Sequence, residues 1–244
     1  MLFNTISESF EIVNNSQKVC LIIHGFAGTP SQMKPLGMSL AKQGFDVYAP
    51  LLSGHGTKPS ALKNVRNTQW IKDVEKYFNH LKQTYNQVFV IGFSLGGLLS
   101  ILLNKKNQPD KLVLISTPIK MYGAFFLNFI PLIYSFKKTW SWKQDEHRLR
   151  NLYDIDYEYF PLRSLLEVRK ASIKAERSMT SIHCPLLIIQ SYYDETVKPI
   201  SAEIIFNKAS SLNKKIHWLY KSRHLCVLGE ERKDIFKEII EFVK

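Results

Sequence analysis

The sequence predicts an α/β protein: a mostly parallel central sheet covered by helices on both faces. Two observations carry this. Short apolar runs of strand length alternate along the chain with longer segments whose apolar residues recur at helical spacing. Those runs are apolar at nearly every position, as strands buried on both faces require. At 244 residues, with 45% hydrophobic and 22% charged residues, the chain is long enough to bury one large core.

The first run, Val19–Ile23, ends in His24-Gly25 and reads as a buried strand. Thr29-Pro-Ser-Gln32 then carries helix-start chemistry: a threonine cap, proline at the first position and glutamine three residues after the cap. That helix is expected to run to about Gly44, and Phe45–Pro50 forms the next strand. Between Gln69 and Tyr85, Trp70, Val74, Tyr77/Phe78 and Leu81 recur on one helical face. Val88–Ile91 is a strand, Leu95–Leu103 a buried helix and Lys111–Ser116 a further strand. Pro185–Gln190 and Lys215–Tyr220 add two more. Glu231–Val243 closes the chain as an amphipathic helix burying Ile235, Phe236, Ile239, Ile240 and Val243.

One region breaks the alternation. Residues 119–181 hold no clear strand but many aromatic and charged residues, and read as an insertion over a core of residues 1–118 and 182–244. The uncharged run Met121–Phe136 is too short, and too interrupted by Pro131, for a membrane span of about 20 residues. A lid element fits it better. Phe126 and Ile130 lie in its densest apolar stretch and are expected to line a substrate pocket. Lys137, Lys138, Trp140, Trp142 and Lys143 follow, a mixture suited to weak contact with an anionic lipid surface.

Composition narrows the function classes. The formal charge of +12 is spread along the whole chain with no nucleic-acid-binding motif, so no nucleic-acid partner is expected. No signal peptide opens the sequence, and Cys20, Cys184 and Cys226 match no metal-ligand spacing. Reduced thiols in a cytoplasmic protein, with no metal, are the expectation. The oligomeric state has no signature.

The chemistry centres on Gly92-Phe93-Ser94-Leu95-Gly96, set between a strand and a helix. A strand-to-helix turn this tight strains its serine and exposes the hydroxyl, while the helix N-terminus adds positive partial charge. A serine hydroxyl needs a base. Among seven histidines, His224 follows the last strand and precedes the terminal helix. His24 and His55 also sit beside glycines, but N-terminal to the serine, against the Ser–acid–His order of such a turn. The acid should follow a strand between serine and histidine. Asp194 meets that requirement, with Glu195 beside it as the alternative. Two backbone donors must face the developing oxyanion. Leu95 N–H, directly after the serine, is one. Phe26 N–H is the other, in the loop His24-Gly-Phe-Ala-Gly28, where Gly25 allows close approach.

With oxyanion loop, serine, aspartate and histidine in this order at strand ends, the sequence resembles the α/β-hydrolase superfamily. It is most similar to small bacterial carboxylesterases and monoacylglycerol lipases, through LIIHGFAGTP, APLLSGHG, VIGFSLGG, QSYYDETVKP and the region around His224. The resemblance implies Ser94 as nucleophile, Asp194 and His224 as its partners, and the Phe26 and Leu95 amides as oxyanion hole. It also implies hydrolysis of a small-molecule carboxylic ester, short to medium in chain length, without a cofactor. A thioesterase or another hydrolase on the same fold, or a silent ligand-binding relative, would keep much of the same pattern. One position departs: Arg223 stands where these relatives usually carry glycine before the histidine.

Overall fold

The computed structural model describes residues 8–123, 139–141, 157 and 159–244. Its strands, in chain order, are β1 (Phe10–Ile12), β2 (Lys18–Ile23), β3 (Asp46–Ala49), β4 (Gln87–Phe93) and β5 (Lys111–Ile115). After these come β6 (Thr139–Ser141), β7 (Tyr159–Pro161), β8 (Leu186–Ser191) and β9 (Lys214–Leu219). Seven of them form one sheet in the order β1-β3-β2-β4-β5-β8-β9. Every pairing in it is parallel except β1 with β3.

The apolar runs are explained by two core layers. Val19, Leu21 and Ile23 of β2 face one cluster, whereas Cys20 and Ile22 face the other. In β4, Val88 and Val90 take the first side and Phe89, Ile91 and Phe93 the second. A strand with period-two geometry and helices on both faces has no position left for a polar residue. Each fully buried Leu, Ile or Val adds about 1.5–3 kcal/mol, so these runs supply a large share of the drive to fold.

Helices α1 (Lys34–Ala41), α2 (Asn67–Thr84) and α3 (Leu95–Asn104) follow the early strands. Then come α4 (Leu162–Ser178), α5 (Ile200–Lys208) and α6 (Arg232–Val243). Helices α2, α3, α4 and α5 cover the first layer; α1 and α6 cover the second. All ten residues of α3 are buried, which is why that stretch is apolar all round.

Some expectations from sequence change in detail. Thr29 caps a 3₁₀ turn, Pro30–Met33, and α1 starts only at Lys34. The Thr29 hydroxyl is spent on the Ser31 hydroxyl at 2.6 Å, not on a helix amide, so the expected side-chain cap is absent. Ile240 is only partly buried at the rim of its cluster. Strand β1 had no sequence signal; three residues are too few to display a period. The region 119–181 does contain strands: β6 and β7 pair antiparallel, Trp140 opposite Phe160.

Helix α4 ties that region to the core. Val168, Ala171 and Ala175 join the cluster that holds Trp70 and Leu98. The buried Glu167 carboxylate accepts the Asn67 backbone N–H at 2.9 Å and also its side-chain amide. Negative charge at the exposed amides of the α2 N-terminus is stabilising.

The sheet order also positions a site. From β2 the chain moves outward to β3 and then back across to β4 on the other side. Loops leaving the C-terminal ends of β2 and β4 therefore diverge and open a crevice, where open α/β sheets bind ligands.

Candidate active site

Ser94 stands at that crevice, between the end of β4 and the first turn of α3, with φ 51° and ψ −114°. An L-residue in this region stores on the order of 1–3 kcal/mol, tolerated only where the surroundings enforce it. Here the Ser94 N–H donates to the Ile115 carbonyl at 2.8 Å, and its carbonyl accepts from the Gly97 N–H at 2.9 Å. A Cβ on Gly96 would fall 2.1 Å from the Ile23 carbonyl oxygen, so only glycine lets α3 approach β2 this closely. The strained serine expected from sequence is present.

His224 lies between Ser94 and Asp194. Its Nε2 is 3.1 Å from Ser94 Oγ, and its Nδ1 is 2.9 Å from Asp194 Oδ2. With Nδ1–H donating to the carboxylate, the Nε2 lone pair faces the serine hydroxyl. Asp194 is 2% exposed and also accepts the Thr196 and Val197 amides at 2.9 and 2.7 Å. Burial pushes its carboxyl up, but the His224 ring and these amides outweigh burial and hold it below the ordinary carboxylate value.

Glu195, the alternative acid, makes a different contact. Its carboxylate accepts the backbone N–H of His224 at 3.0 Å, and the Arg223 guanidinium faces it at 3.5 Å. Arg223 thus faces, at the surface, the carboxylate that holds the histidine loop. The rest of that support was invisible in the sequence. Glu231 accepts the N–H groups of Tyr220, Lys221 and Ser222 at 3.0, 3.0 and 2.7 Å. The Ser191 hydroxyl donates to the Ser222 carbonyl, and the Cys226 N–H to the His224 carbonyl at 2.8 Å. Backbone N–H groups donate most of these bonds, so side-chain patterns carry no trace of them.

On the other side of Ser94 lies the loop after β2. The Gly28 N–H closes a turn onto the Gly25 carbonyl at 3.3 Å, with Ala27 at φ 58°. A Cβ on Gly25 would come within 3.3 Å of Ser94 Cβ and 3.0 Å of the Phe93 ring, so the close approach expected of Gly25 is real. Phe26 follows directly. The Phe26 and Leu95 amides donate to no loop or turn carbonyl among the described residues. Among the described residues His24 and His55 make no hydrogen bond to Ser94; His24 bonds the backbone of Gly25 and of Leu52 in the loop after β3, and His55 that of Ser53. Phe126 and Ile130 lie outside the described residues.

This geometry has relatives. The family model described as serine aminopeptidase, S33, matches residues 14–232. The chain belongs to this family. A thermostable monoacylglycerol lipase of Bacillus sp. (strain H-257) is 32% identical over 232 residues, covering 91% of this chain and 88% of that protein. A carboxylesterase of Bacillus subtilis (strain 168) is 26% identical, covering 93% and 92%. A solved structure from a study of two metagenome-derived lipolytic enzymes, LipS and LipT, superposes with a TM-score of 0.90 at 24% identity, covering 98% of both chains. The fold is that of the α/β hydrolases. No helix among the described residues is long and apolar enough to cross a membrane.

Proposed function

We propose that the protein is a serine carboxylesterase that hydrolyses short-to-medium-chain carboxylic esters, monoacylglycerols among them, through an acyl-enzyme. One observation carries this reading: the unbroken hydrogen-bond chain from Asp194 through His224 to a strained, glycine-flanked Ser94. The ester-cleaving names of the Bacillus relatives support the choice of bond.

The proposed cycle uses these groups in turn. The Ser94 hydroxyl attacks the ester carbonyl as His224 Nε2 takes its proton. The carbonyl oxygen becomes an oxyanion facing the Phe26 and Leu95 N–H groups, which donate to no loop or turn carbonyl among the described residues. His224 returns the proton to the leaving alcohol, whose departure leaves an acyl-Ser94. A water, deprotonated by His224, then releases the acid. Asp194 holds the imidazole tautomer and stabilises its charged form.

For residues 119–181 we infer a lid anchored to the core through α4. Phe126 and Ile130 are its proposed acyl contacts, and Gly25 the close wall beside the serine. Each methylene they bury adds about 0.8 kcal/mol, so polar substitution of Phe126 and Ile130 should cost more on octanoate than on acetate esters. Equal losses on both would remove the acyl-binding role. The net charge of +12 supports weak attraction to anionic lipid surfaces.

The decisive test pairs fluorophosphonate labelling with turnover. Wild-type protein should take one label, on Ser94, and cleave p-nitrophenyl esters. Ser94→Ala should lose both, with a turnover loss of several orders of magnitude and the fold intact. Thioesters and aminoacyl p-nitroanilides belong in the same panel, because the family description names an aminopeptidase. Faster cleavage of either would reassign the bond while keeping the triad.

A further inference from the structure

Beside the oxyanion loop sit two buried histidines that the mechanism does not use. Their rings meet edge to face at 5.0 Å and 73°. His24 is a strut between two loops. Its Nε2 accepts the Leu52 N–H at 3.1 Å, which leaves the proton on Nδ1 to be donated to the Gly25 carbonyl at 2.8 Å. Gly25 is the residue before Phe26, so this bond fixes the peptide whose N–H belongs to Phe26.

His55 stands behind the strut. Its Nδ1 lies 3.2 Å from the Ser53 carbonyl and donates to it, so Nε2 is a bare acceptor. That acceptor is buried and has no hydrogen-bond partner among the described residues. An orphaned buried acceptor is destabilising, and an apolar ring of the same size would avoid it. An imidazole offers here what a phenyl cannot, the bond to the Ser53 carbonyl. That carbonyl also accepts Trp70 Nε1–H at 3.0 Å, so two rings that pack on Phe26 are pinned to one atom. What His55 does touch is the oxyanion residue: its ring meets Phe26 at 6.0 Å and 89°. Trp70 and Phe160 close the remaining sides of Phe26 at 6.2 and 5.5 Å. Three rings thus pack on the Phe26 side chain.

We propose that His24 and His55 are positioning residues for the oxyanion loop, together fixing the aim of the Phe26 N–H, and that this role is why position 55 keeps an imidazole. The inference rests on the reading of Phe26 as an oxyanion donor. A preorganised donor is worth most when it cannot drift. A strut of two hydrogen bonds, backed by an edge-to-face ring, removes the drift without touching the substrate.

The test is His55→Phe, which keeps the ring volume and removes the orphaned nitrogen. The variant should be as stable to urea as wild type or more stable. Its kcat on p-nitrophenyl butyrate should fall about 10- to 100-fold, with KM within about twofold. Affinity for a trifluoromethyl ketone, which forms a tetrahedral oxyanion on the serine, should fall in parallel. His55→Gln, which keeps a donor for Ser53, should recover part of the loss. Unchanged kcat in His55→Phe would overturn the proposal, as would a loss carried by KM. Failure of His55→Phe to fold would overturn it too, since His55 would then belong to stability. In each case complete labelling of Ser94, and its absence from Ser94→Ala, keeps the serine mechanism separate. If Ser94→Ala itself retains turnover, the underlying reading fails instead.

Discussion

The two loops that meet at Ser94 are held by opposite means. The histidine loop is held by carboxylates and backbone: Glu231 gathers three successive amides, Glu195 takes a fourth, and Asp194 takes the ring. The loop proposed to hold the oxyanion is held by neutral groups: His24 bonds its Gly25 carbonyl and packs on His55, while His55, Trp70 and Phe160 pack on Phe26. The difference follows from what the proposed cycle asks of each loop. His224 has to accept and return a proton, so its surroundings must favour a charge that comes and goes. The Phe26 amide only has to stay still, and neutral hydrogen bonds backed by stiff ring packing do that best. One loop should therefore respond to changes in charge, the other to changes in shape and to protons forced on its histidines.

The largest expected effect tests the charged loop. Asp194→Asn keeps the shape but removes the charge that selects the tautomer of His224, and should lower kcat by about 10³- to 10⁴-fold. Glu195→Gln in the same assay should cost far less, because Glu195 touches only the His224 backbone N–H. A steeper loss for Glu195→Gln would give the orienting role to Glu195 and break the distinction between ring and backbone support.

Acid should separate the two loops next. Burial, with His55 adding repulsion, pushes His24 down to about 3; burial also pushes His55 down to about 4. Both are basic groups whose folded values lie below the ordinary 6.5, so the unfolded chain binds more protons in between. Their contribution to stability is complete above pH 6.5 and is lost as pH falls toward 4. Each adds a slope of up to about 1.4 kcal/mol per pH unit in that window. Asp194 and Glu231 are held below their ordinary values of 3.8 and 4.5, so their contributions are complete above those values and decline only below them, after most of the histidine window. Urea unfolding at pH 7.5 and pH 5 should show the decline, and His55→Phe should reduce it by roughly one histidine's share. An identical pH dependence in His55→Phe would show that His55 does not titrate on unfolding.

The charged loop also marks the limit of what the sequence disclosed. Ser94 was legible because its glycines, strand and helix are all local, and the elbow can be built in one way. Asp194 and His224 were legible because chain order at strand ends is a local property of each strand. Glu231 was not, since it acts through the amides of Tyr220, Lys221 and Ser222, which any residue supplies. Glu167 was missed for a related reason: its partner Asn67 lies 100 residues away and contributes a backbone N–H. The same holds for the strut at His24, where a glycine-adjacent histidine looks like any loop residue until Leu52 is brought beside it.

A smaller effect is expected when Glu231 is neutralised. Burial raises its carboxyl, but the amides of Tyr220, Lys221 and Ser222 and the Ser222 hydroxyl outweigh that and hold it low. Charge-assisted bonds of this kind are about twice as strong as neutral ones. Glu231→Gln offers one oxygen where two now accept, so the histidine loop loosens while Asp194 still holds the ring. Turnover should fall by about tenfold, and stability to urea should fall as well. A loss as large as that of Asp194→Asn would mean that the loop, not the aspartate, fixes the imidazole.

The smallest effect belongs to Arg223. Its side chain is 61% exposed, and its ion pair with Glu195 spans 3.5 Å at the surface. Exposed pairs contribute about 0–1 kcal/mol, because water screens them and two side chains must be ordered to form them. Glu195 keeps its bond to the His224 N–H whether or not the guanidinium is present, so the ring should hardly move. Arg223→Gly, which installs the residue usual in similar carboxylesterases, should therefore leave kcat on a neutral ester within about threefold of wild type. The sensitive measurement is the salt dependence of kcat/KM on an anionic ester, since removing a surface cation weakens long-range attraction that salt already screens. The salt effect should shrink in Arg223→Gly. If kcat on neutral esters falls tenfold instead, Arg223 is part of the frame that holds His224, and the charged loop extends one residue further.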